Sequence, residues 1–322
     1  MSLAGILQRK SQRGEKIFSV EISPPMNYPG LVKTSEMVAA LKDLDLDSIA
    51  LTNNTGGSFK LNPLAVVETV RAVLRSTPII VHITSRDEGS VRTVYTHVDN
   101  MALNGVSDVL VIRGDPSPTN SRQTDAYKFT TVELVKLMAD YSRQQHYALD
   151  IFVAGHPEWQ SHTLPKHMLY QRQKIEHGAR GIIANIVTAP ENYFRYVDAA
   201  QAHEIMVPIV PSVIPLTSVK RCQFLEKRLH IPVPEAVKER LRTARDKEEA
   251  RRIGVDISGD IAETLLQRGA PGVNFNVIFP QDVRSVKELL QRVRGYATIW
   301  EKYQIEDPEE IDYFECLREG YF

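Results

Sequence analysis

Apolar runs of strand length recur along the chain, and most are followed by a stretch in which apolar residues return every three or four positions. The strand-like runs are IFSVEIS (17–23), SIALTN (48–53), PIIVHIT (78–84), DVLVIRG (108–114), DIFVAGH (150–156), GIIANIV (181–187), VPIVPSV (207–213) and GVNFNVIF (272–279). Helical periodicity follows in LVKTSEMVAALKDL, PLAVVETVRAVLRS, TVELVKLMADYSRQ and ENYFRYVDAAQAHE, and VRSVKELLQRV succeeds the eighth run. Strand then helix, eight times, predicts an α/β protein built as a (β/α)8 TIM barrel, one domain over residues 1–322. The runs are nearly continuous in Val and Ile rather than alternating, as expected where helices cover one face of each strand and a packed interior the other.

Two stretches exceed this plan. Between the seventh and eighth runs lies an enlarged connection, about residues 217–270, holding the charge-dense PEAVKERLRTARDKEEARRIG. It predicts one extra solvated helix, with a mobile lid as the alternative. A C-terminal extension, about 296–322, ends in EDPEEIDYFECLREGYF, acidic and aromatic at once, and predicts a terminal helix packed on the barrel.

Composition narrows the function classes. Hydrophobic residues at 43% and charged residues at 25% are those of a globular protein. With 39 basic and 40 acidic residues the net charge is −1, so no field draws the chain onto nucleic acid or an acidic membrane. Cys222 and Cys316 are the two cysteines, without a CxxC, which excludes a disulfide framework or a cysteine zinc cluster and fits a cytoplasmic protein. The opening MSLAGILQRKSQRGEK has too short an apolar stretch for a signal peptide, and no run reaches the length of a membrane span. Barrel faces often pair into homo-oligomers, but no segment specifies one.

In a (β/α)8 barrel the polar residues at the C-terminal strand ends are the candidates for chemistry. They are Glu21; Thr52 and Asn53; His82 with Ser85, Arg86 and Asp87; Arg113 and Asp115; His156 and Glu158; Asn185; Ser212; and Asn274 and Asn276. Arg113-Gly114-Asp115 ends the fourth strand. An adhesion tripeptide would need an extracellular setting, so the expected role is delivery of Asp115 to a site, with Gly114 allowing a close approach. An Arg113–Asp115 ion pair is the purely structural alternative. Glu21, between Val20 and Ile22 and ahead of two prolines, is expected to be poorly solvated and protonated near neutrality, fit to donate a proton; pairing with an Arg is the alternative. His82, His156 and Glu158 lack the HxH or HExxH spacing of a metal site, so no metal is expected. TNNTGGSF (52–59) has neither the Lys of a P-loop nor a third fingerprint Gly, and is expected to be a polar loop lining a pocket.

Taken in order, FSVEISPP, VHITSRD, VLVIRGDPSP, VAGHPE and PIVPSVIPLTSVKRCQFL resemble the methylenetetrahydrofolate reductase family from about residue 17 to 295. The resemblance implies a barrel that binds reduced folate and reduces its 5,10-methylene bridge to a 5-methyl group, with hydride from NADH or NADPH through FAD or directly. It implies Glu21 as the acid that opens the bridge, Asp115 as the acceptor of the pterin's N–H donors, and Asn185 and Asn276 as further substrate contacts. By the same resemblance Thr52, His82, Arg113, Gly114, His156 and Lys174 fall where the family touches the flavin.

Departures from the family pattern concentrate around the flavin. In HMLYQRQKIEHGA, His167, Tyr170 and Gln173 stand where the family has Asp, Asn and Arg, and only Lys174 fits. Ile186 and Val187 replace an aromatic pair, and Asn53-Asn54 a Tyr-Gly. Weak or absent FAD is therefore expected, and the alternative to a reductase is a non-redox reduced-folate binder or methyl-transfer partner.

Overall fold

The computed structural model describes residues 2–54, 59–115 and 127–303. In chain order the elements are α1 (Leu3–Gln12), β1 (Ile17–Ile22), α2 (Gly30–Ala39), β2 (Ser48–Leu51), α3 (Pro63–Arg71), β3 (Ile79–Thr84), α4 (Val91–Leu103), β4 (Asp108–Ile112), α5 (Thr131–Gln144), β5 (Asp150–Gly155), α6 (Leu164–Glu176), β6 (Ala179–Ile186), α7 (Pro190–Ala202), β7 (Ile209–Val213), α8 (Val219–Arg228), α9 (Glu235–Arg242), α10 (Lys247–Gln267), β8 (Gly272–Val277) and α11 (Asp282–Tyr303). The eight strands pair in sequence order, all parallel, and β8 closes on β1. This is the (β/α)8 barrel expected from the eight apolar runs.

Strand periodicity divides the side chains between two environments. Outward residues such as Val20, Ile22, Val81, Val109, Val153 and Phe275 are buried under the helices. Inward residues at the N-terminal end, Ile17, Ala50, Ile80, Leu110, Phe152, Ile183 and Val210, form a separate apolar layer. Leu3, Ile6 and Leu7 of α1 close that layer from below. Leu3 and Leu7 are nearly fully buried there, which stabilises the plug by roughly 1.5–3 kcal/mol each. Ser2 caps α1 by accepting from the Gly5 amide, and Asp108 at the base of β4 accepts from the Leu3 amide at 2.9 Å. The apolar spacing of Leu3, Ile6 and Leu7 is the helical signal, but the sequence reading tested this segment only as a signal peptide.

The enlarged connection differs from the single extra helix expected. Its charged run breaks at Thr243–Asp246, where the Asp246 side chain accepts from the Glu249 amide and caps α10. Only the preceding α9 is a solvated addition, with Leu241 its buried residue. α10 is a barrel helix that buries Val255, Ile257, Ile261, Ala262, Leu265 and Leu266. At the C-terminus the helix containing VRSVKELLQRV runs on without a break at 296 as far as Tyr303; the remainder of the expected extension lies outside the described residues. So do residues 55–58 of the Gly-rich loop and the prolines after Asp115.

Candidate active site

Above the apolar layer the barrel interior turns polar, because the inward positions of β1, β7 and β8 carry Ser19, Glu21, Ser212, Asn274 and Asn276. Register places Glu21 beside Ala50 on β2 and Asn276 on β8. Ser19 Oγ donates to Asn274 Oδ1 at 2.9 Å, and Asn274 Nδ2 donates to Ser212 Oγ at 3.1 Å. The Glu21 carboxyl stands over this chain. Asn276 Nδ2 donates to its Oε1 at 2.9 Å, Asn274 Nδ2 reaches Oε2 at 3.5 Å, and His82 Nε2 lies 3.8 Å from Oε2.

These partners decide between the two readings of Glu21. Among the described residues the carboxyl meets two amides and a histidine rather than an arginine. Burial pushes the carboxyl up to about 7, against the hydrogen bonds of Asn274 and Asn276, which pull it down. Burial also pushes His82 down to about 3, so it stands neutral at the side of the acid. His82 Nε2 and Asn276 Oδ1 are buried without a hydrogen-bond partner among the described residues.

The fourth strand delivers its triplet to the same end. Gly114 has φ +83°, and a Cβ there would come within 2.9 Å of the Thr84 side chain, so this turn requires glycine. Arg113 is exposed and lays its guanidinium over the Tyr127 ring at 4.8 Å, while Tyr127 Oη donates to the Gly114 carbonyl. Asp115 is exposed, and its backbone carbonyl accepts from Arg86. Arg86 is in turn paired to Asp87 at 2.8 Å, and Asp87 also accepts from Thr84 and Asn54. Arg86 and Asp87 thus brace the loop that presents Asp115. Thr52 is buried and donates to Ser23 Oγ at 3.1 Å.

On the opposite wall, β5 and β6 form a second cluster. Glu158 Oε1 lies 2.9 Å from His156 Nδ1 and accepts from Asn185 Nδ2 at 3.0 Å, while Asn185 Oδ1 accepts from the Ile186 amide. Both ends of the Asn185 amide therefore have partners inside the protein. Glu158 Oε2 is buried without a hydrogen-bond partner among the described residues. In the sequence Glu158 stands out as a strand-end acid beside His156, weighed there as a third metal ligand with His82 and His156 and given no role toward the substrate. Among the described residues no three His, Cys, Asp or Glu side chains converge as metal ligands.

A flavin dinucleotide on α6 would need cations or free donors for its diphosphate. Lys174 is buried, donates to Gln171 Oε1 at 3.3 Å, and is pushed down to about 8 by desolvation. His167 is buried in contact with Tyr196 Oη and Gln171, and burial chiefly, then His156 and Lys174, push it down to about 3. Trp159 stacks on His156 at 4.8 Å and meets His167 edge-on at 4.6 Å. Tyr170 and Gln173 face solvent. Neutral His167 brings no charge to a diphosphate, whereas buried Lys174, with one long bond to Gln171, keeps donors that could meet one.

The chain is a closed parallel (β/α)8 barrel that carries a near-neutral acid and a set of amides at its C-terminal mouth, the end where barrels of this class place their sites. Residues 6–293 match the family model described as methylenetetrahydrofolate reductase, and the chain belongs to that family. It is 24% identical over 279 residues to "Methylenetetrahydrofolate reductase 2" of Saccharomyces cerevisiae, covering 81% of this chain and 44% of the yeast protein. It is 20% identical over 283 residues to "Methylenetetrahydrofolate reductase (NADH) 1" of Arabidopsis thaliana, covering 84% and 47%. Against the "5,10-methylenetetrahydrofolate reductase" of Buchnera aphidicola identity is 21% over 276 residues, with 84% and 89% covered. The chain spans about half the length of the first two relatives. Among solved structures, an uncharacterized Clostridium thermocellum protein that binds two copies of 5-methyl-5,6,7,8-tetrahydrofolic acid superposes with a TM-score of 0.64 at 16% identity, over 89% of this chain and 99% of that one. A 2,3-dimethylmalate lyase does so at 0.51 and 12%, over 99% and 94%. These two likenesses show the fold alone.

Proposed function

We propose that the protein reduces 5,10-methylenetetrahydrofolate to 5-methyltetrahydrofolate, taking hydride directly from NADH or NADPH. The observation that carries this reading is the Glu21 carboxyl at the barrel mouth, raised to about 7 by burial against the pull of the Asn274 and Asn276 amides. A carboxyl that is still protonated at pH 7 can give its proton to the nitrogen that leaves the methylene carbon. The bridge then opens to an iminium, the dihydronicotinamide delivers hydride to the one-carbon group, and Glu21 regains its proton from water. Family membership and the folate held by the Clostridium thermocellum barrel support the substrate class. In this reading Asp115 accepts from the pterin's donor-rich edge, and the unsatisfied Glu158 is a second candidate acceptor for it. Asn185 acts on the substrate through Glu158, which it holds. Thr52, Arg113, Gly114 and His156 shape the floor and walls against which the nicotinamide lies, and no step is assigned to FAD.

The test is an assay of methylenetetrahydrofolate with each nicotinamide, with and without added FAD, followed by detection of methyltetrahydrofolate. Turnover independent of FAD is expected. Turnover only with FAD would replace direct transfer by a flavin route, and folate binding without nicotinamide oxidation would leave a non-redox binder.

A further inference from the structure

The two carboxylate oxygens of Glu21 are not equivalent. Oε1 receives the Asn276 amide at 2.9 Å, a full hydrogen bond. Oε2 receives the Asn274 amide only at 3.5 Å, and that amide has a shorter bond to Ser212 Oγ at 3.1 Å, while Ser19 holds its oxygen end. Asn274 is thus locked by two serines and lies along the acid, whereas Asn276 commits its donor to it. An oxygen that already accepts an N–H has less capacity for a proton, so the proton of the neutral acid falls on Oε2, the oxygen beside the unpartnered His82 Nε2.

We propose that Asn276 is the positioning residue of the acid: its amide pins Oε1, directs the acidic proton to Oε2, and sets the pH at which Glu21 lets that proton go. This inference rests on the reductase reading for its purpose but not for its test. The groups facing Glu21 are few. β8 brings the two asparagines, β2 brings Ala50, and the titratable side chain recorded against the carboxyl is His82 of β3. Since His82 is neutral through the neutral range, the amides of β8 control the ionised form. An amide donor favours the carboxylate, so removing it must raise the acid's titration midpoint.

The experiment is an infrared titration of the unliganded full chain, following the carboxylic acid band of Glu21, identified by its disappearance in Glu21→Gln and separated from Asp108 by Asp108→Asn. Asn276→Ala is expected to raise the midpoint by about 1–2 pH units, the size of one hydrogen bond to a charged group. Asn276→Ser, a second variant should Ala fold poorly, should raise it as well, and Asn274→Ala should raise it less. A midpoint that moves in a protein without reductase turnover supports the positioning role while refuting the reductase reading. An unchanged midpoint in a folded Asn276 variant overturns the positioning role even if the parent is an active reductase.

Discussion

Glu21 at the top of the barrel and Asp108 at its base are both buried carboxyls pushed up to about 7, chiefly by desolvation. They differ in what surrounds them. Asp108 is fully buried; Oδ1 accepts from the Leu3 amide and Oδ2 from Ser107 Oγ at 3.0 Å, beneath a plug of apolar side chains. Glu21 keeps 18% of its side chain exposed, has one loosely held oxygen, and stands among polar atoms that lack partners. A raised carboxyl is therefore no mark of a site by itself. The end of the barrel it occupies and the vacant hydrogen-bonding capacity beside it separate an acid that fastens a helix from one that meets a ligand.

The sharpest way to break the comparison is to neutralise each acid. Glu21→Gln should lower methylene reduction by about 10²–10⁴-fold while leaving folding intact, and Asp108→Asn should leave turnover at the parent rate. Paired kinetic and thermal measurements on the two variants decide this, and equal losses would abolish the distinction.

Stability against pH gives the next largest effect. Each carboxyl binds its proton more tightly folded than unfolded, so the folded state gains from protonation, and stability should fall as pH rises from about 4 to 7 and level off above. Asp108→Asn should flatten that fall and gain on the order of 2–4 kcal/mol at pH 8, since a pKa unit corresponds to about 1.4 kcal/mol. Denaturant melts at pH 5 and pH 8 measure it, and a parent protein more stable at pH 8 than at pH 5 would reverse the sign.

Asp115→Asn should weaken reduced-folate binding by about 1.5–3 kcal/mol with no change in melting temperature, because an amide offers a donor to a donor-rich edge. Calorimetric titration tests it, and unchanged affinity with lowered stability would make the Arg113-Gly114-Asp115 turn purely structural. The smallest effect is expected at Lys174: Lys174→Met should leave NADH and folate affinities within twofold, as neither ligand is assigned a contact with this α6 side chain, which is bonded to Gln171 at 3.3 Å. A large loss would return Lys174 to the ligand.

The barrel was legible in the sequence because two-sided burial writes each strand as a compact Val and Ile run, and eight such runs admit few topologies. α1 was not, since its buried Leu3, Ile6 and Leu7 become a helix face only against the floor they close. The α9–α10 break was hidden within one charged run, where the Asp246 cap carries the boundary and the buried face begins only at Gly254. At the site, Glu21 could be read from its apolar flanks and following prolines. Its pairing with Asn276 could not: barrel closure brings together the first and last strands, 255 residues apart, and no local pattern states that register. The burial of Lys174 was hidden for a like reason, because it depends on Gln171 and the packing around His167.

The most direct measurement of the central claim, that Glu21 is the acid of methylenetetrahydrofolate reduction, is the pH profile of kcat/KM for the parent protein without added flavin. The account predicts a rate that is level at low pH and falls about tenfold per pH unit above pH 7, as the carboxyl loses its proton. A rate that rises through neutrality, or stays level well beyond it, would contradict it.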